Sequence, residues 1–167
     1  LGQLRTGGVN IMTVEDPIER TLPGVTQIPV NDKAGNTFAT VLRSILRQDP
    51  NIIMVGEVRD AEVADVIGQA AYTGHLVLSS MHTIDAATAI VRLTNFGLES
   101  YKVAESLVGV LAQRLVRQLC PLCKRKHTGD EARHKARALG LPSVPASVGP
   151  GCDHCHNTGY SGRIPIA

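Results

Sequence analysis

One stretch constrains this chain more than any other: the unbroken apolar run Ile52-Ile53-Met54-Val55, which closes abruptly in Gly56-Glu57-Val58-Arg59-Asp60. A continuous apolar run this short, rich in β-branched residues, reads as a strand buried on both faces. A carboxylate at the carboxyl end of such a strand stands where open α/β sheets place their ligands. The plainer reading is a core strand followed by a polar turn, and the neighbouring segments decide between the two.

Those neighbours alternate strand and helix. Val9 to Val14 is β-branched and predicts a strand that releases Glu15, Asp16 and Glu19 around Pro17. Three carboxylates there are either a solvated turn or a cluster that binds Mg²⁺ through its waters and orients a nucleophilic water. Val25 to Val30 predicts an edge strand, because Pro29 cannot donate to a ladder. Over Thr37 to Gln48, Phe38, Val41, Leu42, Ile45 and Leu46 form a helical apolar stripe. Arg43 and Arg47 fall opposite that stripe, as solvated arginines or as a pair offered to a phosphate or a neighbouring subunit. Asp60 is a good N-cap for a helix to about Tyr72. His75 to Met81 predicts a second buried strand, bracketed by His75 and His82; a lone histidine is more often structural, whereas two bracketing one strand favour a site. Asp85 opens a helix ending near Gly97, and Ser100 opens a longer one to about Leu119, bearing Arg114 and Arg117. The alternation from Val9 to Asn95 predicts an α/β fold, a mostly parallel sheet with helices on its faces.

The 167 residues are enough for one domain, or for one domain plus a small module. Hydrophobic residues are 43% and aromatics 3%, with no Trp, so the core must be aliphatic. A formal charge of +2 and no aromatic platform for bases leave nucleic acid an unexpected partner. No apolar run approaches the ~20 residues that span a bilayer, and no signal peptide is visible. The chain begins at Leu1 and stops at Ala167 inside a strand-like run, as expected of a piece of a longer protein. Without a secretory signal, the pairs Cys120/Cys123 and Cys152/Cys155 read as metal ligands rather than disulfides, a redox dithiol being the alternative. Four thiolates close a tetrahedral Zn²⁺ site with no open position, which is a structural site. The twenty-eight residues between the two pairs exceed the usual spacing and imply an inserted subdomain, with a short helix from Glu131 to Leu139 and a loop from Pro142 to Gly151. Beside the first pair runs the basic segment Lys124-Arg125-Lys126-His127; the cysteine quartet leaves His127, His154 and His156 no necessary role.

Four blocks together resemble the secretion-ATPase family, the hexameric motors of type II secretion and type IV pilus assembly. Thr13 to Glu19 (TVEDPIE) resembles its Asp box, Leu42 to Asp60 (LRSILRQDPNIIMVGEVRD) its arginine-bearing helix and Walker B strand, and Thr73 to Thr83 (TGHLVLSSMHT) its His box. The four cysteines resemble its tetracysteine zinc motif, which marks the secretion and assembly branch and which retraction motors usually lack. Two features depart from the pattern. The phosphate loop G-x-x-x-x-G-K-[ST] is nowhere in these residues; in the family it lies just before position 1 and carries the phosphate cradle, its lysine and a central strand. The Walker B position usually held by Asp is Gly56.

The resemblance implies a RecA-like P-loop NTPase sheet, incomplete without its phosphate-loop strand, over 1–118. It implies a tetracysteine zinc subdomain over 119–156 and a return segment over 157–167. It implies an ATP- and Mg²⁺-dependent motor in which Glu57 deprotonates or orients the attacking water. Glu15, Asp16 and Glu19 support the metal and water shell, while Arg43, Arg47 and Arg59 balance phosphate charge or bridge subunits. His75 and His82 sense the γ-phosphate or couple it to motion. It further implies a homo-hexamer, cytoplasmic and peripheral to the bacterial inner membrane, working on membrane platform proteins. These residues alone are expected not to hydrolyse ATP. The competing expectation is a zinc-stabilised binding module in which the acidic and histidine motifs are inert.

Overall fold

The computed structural model describes residues 1–5, 7–126, 129–138, 140 and 147–167. They form two compact units, Leu1–Val110 and Leu111–Ala167. The first unit runs β1 (Ile11–Glu15), β2 (Thr26–Pro29), α1 (Phe38–Ile45), β3 (Ile52–Val55), α2 (Ala61–Tyr72), β4 (Leu76–Ser79), α3 (Ala86–Asn95) and α4 (Ser100–Ser106). Its four strands make one sheet in the order β2-β1-β3-β4, every pairing parallel. The α/β expectation holds.

The two central strands bury both faces, as their apolar runs require: Ile11, Val14, Ile53 and Val55 are all at most 1% exposed. Against one face pack Phe38, Val41, Leu42 and Ile45 of α1 and Val63, Ala64, Ile67 and Ala70 of α2. Each Val, Leu, Ile or Phe side chain among them contributes about 1.5–3 kcal/mol by leaving water. Capping fixes where the helices begin. Thr37 and Thr40 exchange side-chain and backbone hydrogen bonds at the start of α1. Asp60 Oδ1 accepts from Val63 N at 2.9 Å, and Asp85 Oδ1 from Thr88 N at 2.8 Å. Pro29 sits on edge strand β2, as expected.

Two expectations fail. The strand after His75 is not buried: Leu76 is 40% exposed and Ser79 is exposed, because among the described residues β4 pairs with β3 alone. The long helix expected from Ser100 to Leu119 stops at Ser106. Leu107 turns extended (φ −80°, ψ 105°), Val108-Gly109-Val110 follows, and Arg114–Leu119 is a strand, β5. A glycine between β-branched residues is a poor helix interior, and β5 finds a partner far along the chain.

That partner organises the second unit. β5 pairs antiparallel with β8 (Tyr160–Ile166), with a bulge between Arg117 and Leu119 that Gly162 accommodates at φ +81°. Between them lie β6 (Arg125–Lys126), α5 (Asp130–Ala138) and β7 (Ser147–Val148), β6 pairing with β7. The helix expected at Glu131 to Leu139 is therefore present and begins one residue earlier, at Asp130, while Leu139 lies outside the described residues. His127 and residues 142–146, half of the expected Pro142–Gly151 loop, lie outside the described residues. No helix among the described residues is long and apolar enough to cross a membrane.

Candidate functional site

Parallel pairing brings the carboxyl ends of β1, β3 and β4 to one side of the sheet, and the turns leaving them are stitched together. Gly56 N donates to Val14 O at 2.8 Å, extending the β1–β3 ladder. Ser80 Oγ donates to Gly56 O at 2.7 Å, and Val58 N to Ser80 O at 3.0 Å, tying the turn after β3 to the turn after β4. Glu57 is thereby held between the other two strand ends.

Four side chains meet there. Arg59 donates to Glu57 Oε1 and, through Nη2, to Asp16 Oδ2 at 3.3 Å. Its guanidinium lies 5.4 Å from the centre of the Phe38 ring, so the first residue of α1 props it from below. His82 Nε2 stands 3.6 Å from the other Glu57 oxygen, with its side chain 93% exposed. The hydrogen bond from Arg59 holds the Glu57 carboxyl below its ordinary value; partial burial opposes this, and the charges of Arg59 and His82 add to it. The same pairing with Glu57 raises the Arg59 guanidinium. Glu57 is thus a firmly ionised carboxylate, one oxygen occupied by a cation and the other beside an exposed imidazole.

The remaining expected residues sit elsewhere or on the margin. Glu15 adjoins the group, but its Oε1 accepts from Thr13 Oγ1 at 2.6 Å and from Gln27 Nε2 at 2.8 Å. Glu19 is exposed and pairs with none of the described residues. Arg43 lies on the exposed face of α1 and Arg47 is exposed just past its end; Arg43 pairs with Glu62 of α2 at 2.8 Å, and among the described residues Arg47 reaches only Ser44 of α1. His75 precedes β4 and so stands at the opposite end of the sheet from Glu57, its Nδ1 donating to Ala70 O at 2.9 Å. Sequence reasoning missed Thr13, which is fully buried, and Gln27, directly across from it in register. Polar residues inside an apolar strand run were the available signal.

The second unit gathers its four cysteines. All four Sγ atoms lie within 4.8 Å of one another. The Cys120–Cys152 and Cys123–Cys155 sulfurs are 3.9 Å apart and the Cys152–Cys155 pair 3.7 Å. Tetrahedral metal–sulfur bonds of about 2.3 Å would separate sulfurs by about 3.8 Å, so the donor set fits a closed tetrathiolate. Burial pushes the Cys155 thiol up, but amide hydrogen bonds from Cys152 and Gly159 (each 3.3 Å) and the neighbouring thiols bring it down to about 6. Burial drives Cys123 up to about 11 against the pull of the Gly151 amide. Glycines let the second knuckle close. A Cβ on Gly149 would collide with the backbone of Gly159, and one on Gly151 (φ +107°) would lie 2.8 Å from Asn157 O. The sequence reading overlooked this requirement.

The family profile described as type II/IV secretion system protein matches residues 1–167. The chain belongs to that family. Type II secretion system protein E of Pseudomonas aeruginosa is 52% identical over 160 residues, covering 94% of this chain and 32% of that protein. The type IV pilus assembly ATPase PilB of Thermus thermophilus is 47% identical over 171 residues, covering 99% of this chain and 19% of that protein. The chain thus spans about a third or less of the curated relatives it matches. Among solved structures, the pilus retraction motor PilT with bound ADP aligns with a TM-score of 0.60 and 34% identity over 67% of this chain and 35% of that one. The VirB11 ATPase of the Brucella suis type IV secretion system, in complex with sulphate, aligns with a TM-score of 0.50 and 25% identity over 68% of this chain and 36% of that one.

Proposed function

We propose that these residues form the water-orienting half of the ATP site in a secretion or pilus-assembly motor, joined to a structural zinc lobe. The observation that carries this reading is the convergence of Glu57, Arg59, Asp16 and His82 at the carboxyl ends of three parallel strands. Relatives named as secretion-system protein E and pilus assembly ATPases support it.

The chemistry asked of these residues is positioning and electrostatics, because phosphoryl transfer needs little covalent help. A carboxylate whose pKa is lowered is a weak proton acceptor at neutral pH. Glu57 therefore acts chiefly by orienting the attacking water and stabilising its developing charge. Arg59 holds Glu57 in the resting site; an arriving phosphate competes for that guanidinium and frees the Glu57 oxygen for water. The exposed imidazole of His82 reports the γ-phosphate beside Glu57. Asp16 and the unengaged oxygen of Glu15, with Glu19 at the margin, offer hard oxygen donors of the kind Mg²⁺ takes through its waters. Mg²⁺ would neutralise charge on the phosphates there. Gly56 contributes no carboxylate to that shell. The phosphate grip itself, backbone amides at a helix N-terminus with a lysine, is not among these residues. His75, Arg43 and Arg47 lie outside the group; for the two arginines we propose contacts across subunits of a homo-hexamer, and for His75 a link between nucleotide state and motion. Zn²⁺ in the four-thiolate site serves the fold of the second lobe. The whole motor would work in the cytoplasm against platform proteins of the inner membrane.

The test is Glu57→Gln in the full-length parent, which keeps size and hydrogen bonding but removes the charge. Nucleotide binding persists, and steady-state phosphate release falls by roughly two to three orders of magnitude, the range for losing one preorganised electrostatic contact. Hydrolysis at the parental rate removes Glu57 from the mechanism.

A further inference from the structure

Glu57 follows a glycine, and glycine leaves the backbone freer to rotate than any other residue does. The peptide groups around Glu57 must therefore be held before its side chain can be aimed. Three successive peptide groups run through this turn. The group between Val55 and Gly56 is held by β1, through Gly56 N to Val14 O at 2.8 Å. The group between Gly56 and Glu57 is held by Ser80, whose Oγ donates to Gly56 O at 2.7 Å. The group between Glu57 and Val58 is held by Ser80 again, because Val58 N donates to Ser80 O at 3.0 Å. A peptide group is planar, so the two planes that flank a Cα set its φ and ψ between them. Ser80 bonds both planes that flank Glu57, one through its side chain and one through its own carbonyl.

The preceding serine provides the contrast. Ser79 Oγ donates to Val55 O at 3.0 Å. Val55 lies inside β3, in register with Val14 on one side and Ser79 on the other, so the ladder holds it without that hydroxyl. Gly56 and Glu57 lie past the end of β3, where the ladder has stopped. There the Ser80 hydroxyl takes over what strand pairing does one residue earlier. The same segment carries His82 two residues further on, with its Nε2 3.6 Å from Glu57 Oε2. The end of β4 thus meets Glu57 through backbone and side chain alike.

We propose that Ser80 is a positioning residue for Glu57. Its hydroxyl fixes the peptide between Gly56 and Glu57 so that the carboxylate faces the attacking water; without it that peptide rotates and the carboxylate loses its aim. The role rests on Glu57 orienting water, as proposed for this site. It asks nothing of Ser80 toward the nucleotide, so Ser80 acts on rate through Glu57 and leaves nucleotide affinity alone.

The test is steady-state ATP hydrolysis by the full-length parent carrying Ser80→Ala, Glu57→Ala or both, with nucleotide binding measured alongside. Ser80→Ala should lower kcat by roughly three- to tenfold, the population shift that one neutral hydrogen bond supports, with KM unchanged. In the Glu57→Ala background the same substitution should change nothing, because no carboxylate is left to aim; residues that act as a unit are non-additive in this way. Ser79→Ala, which removes a hydroxyl bond of the same kind one residue earlier, should leave kcat at the parental value. Ser80→Thr keeps the hydroxyl and Ser80→Val matches the shape of threonine without it, so Ser80→Thr should exceed Ser80→Val by the same factor. That pair carries the test if Ser80→Ala does not fold. A Ser80→Ala loss that multiplies with the Glu57→Ala loss, or that appears in KM instead of kcat, overturns the role of Ser80. So does a parental kcat in Ser80→Ala while Glu57→Ala is slow. Glu57→Ala at the parental rate overturns the reading of the whole site, and the role of Ser80 with it.

Discussion

Thr13→Val probes the least visible support of the site. Thr13 is fully buried in β1, and its hydroxyl donates to Glu15 Oε1 at 2.6 Å. Valine has nearly the same shape, so the substitution leaves no cavity and isolates the hydrogen bond. A hydrogen bond to a charged group contributes about 1.5–3 kcal/mol. The lower end applies, because Glu15 is only half-buried and keeps Gln27 Nε2 at 2.8 Å. Replacing the hydroxyl by a buried methyl returns about 0.8 kcal/mol. The expected net loss is therefore about 0.7 kcal/mol, which at a slope near 2 kcal/mol/M moves the urea midpoint by about 0.35 M. The assay is urea unfolding of the zinc-loaded chain, following Tyr72 and Tyr101, the two tyrosines of the first unit. A double-mutant cycle with Glu15→Gln should give a coupling of at least about 0.5 kcal/mol. Thr13→Ser should keep that coupling while losing the methyl contact. A Thr13→Val chain as stable as the wild type, with no coupling to Glu15, would refute the role assigned to the hydroxyl.

Other outcomes follow from the two sites. Metal analysis of the purified chain should return about one Zn²⁺; Cys120→Ser or Cys155→Ser should lose it and loosen the second unit, and four freely reactive thiols in the folded chain would refute the assignment. Glu57 has a folded-state pKa below its ordinary 4.5, so its stabilising contribution is complete above about 4.5 and fades as pH falls through the lowered value. Glu57→Gln should flatten the stability profile in that acid range only; a change confined to neutral pH would place the effect on another group.

Much of the fold was legible because local pattern and burial agree. The apolar run at Ile52–Val55 had to be a central strand, and the stripe from Phe38 to Ile45 had to face it. Asp60 and Asp85 announced their helices through the caps they form. The error at Ser100–Leu119 is instructive: Leu107, Leu111 and Leu115 repeat at helical spacing, yet β5 is decided by β8, more than forty residues later. Such a long-range pairing leaves no local trace. The exposure of β4 likewise depends on what stands beside it rather than on its own residues. At the site, sequence supplied the right residue types but not their gathering. That Arg59 rather than Arg43 or Arg47 meets Glu57 follows from the turn after β3, and that His75 is excluded follows from strand direction. The glycine contacts at Gly149 and Gly159 are visible only once two distant backbones meet.

The central claim is that these residues orient water but do not grip phosphate. Its most direct test is phosphate release from Mg²⁺-ATP by the zinc-loaded 167-residue chain, compared with its Glu57→Ala variant. The account predicts equal, background release from both, because Glu57, Arg59, Asp16 and His82 have no phosphate cradle to work against. Release that exceeds background and disappears with Glu57 would contradict it, and would mean that this chain holds a phosphate site of its own.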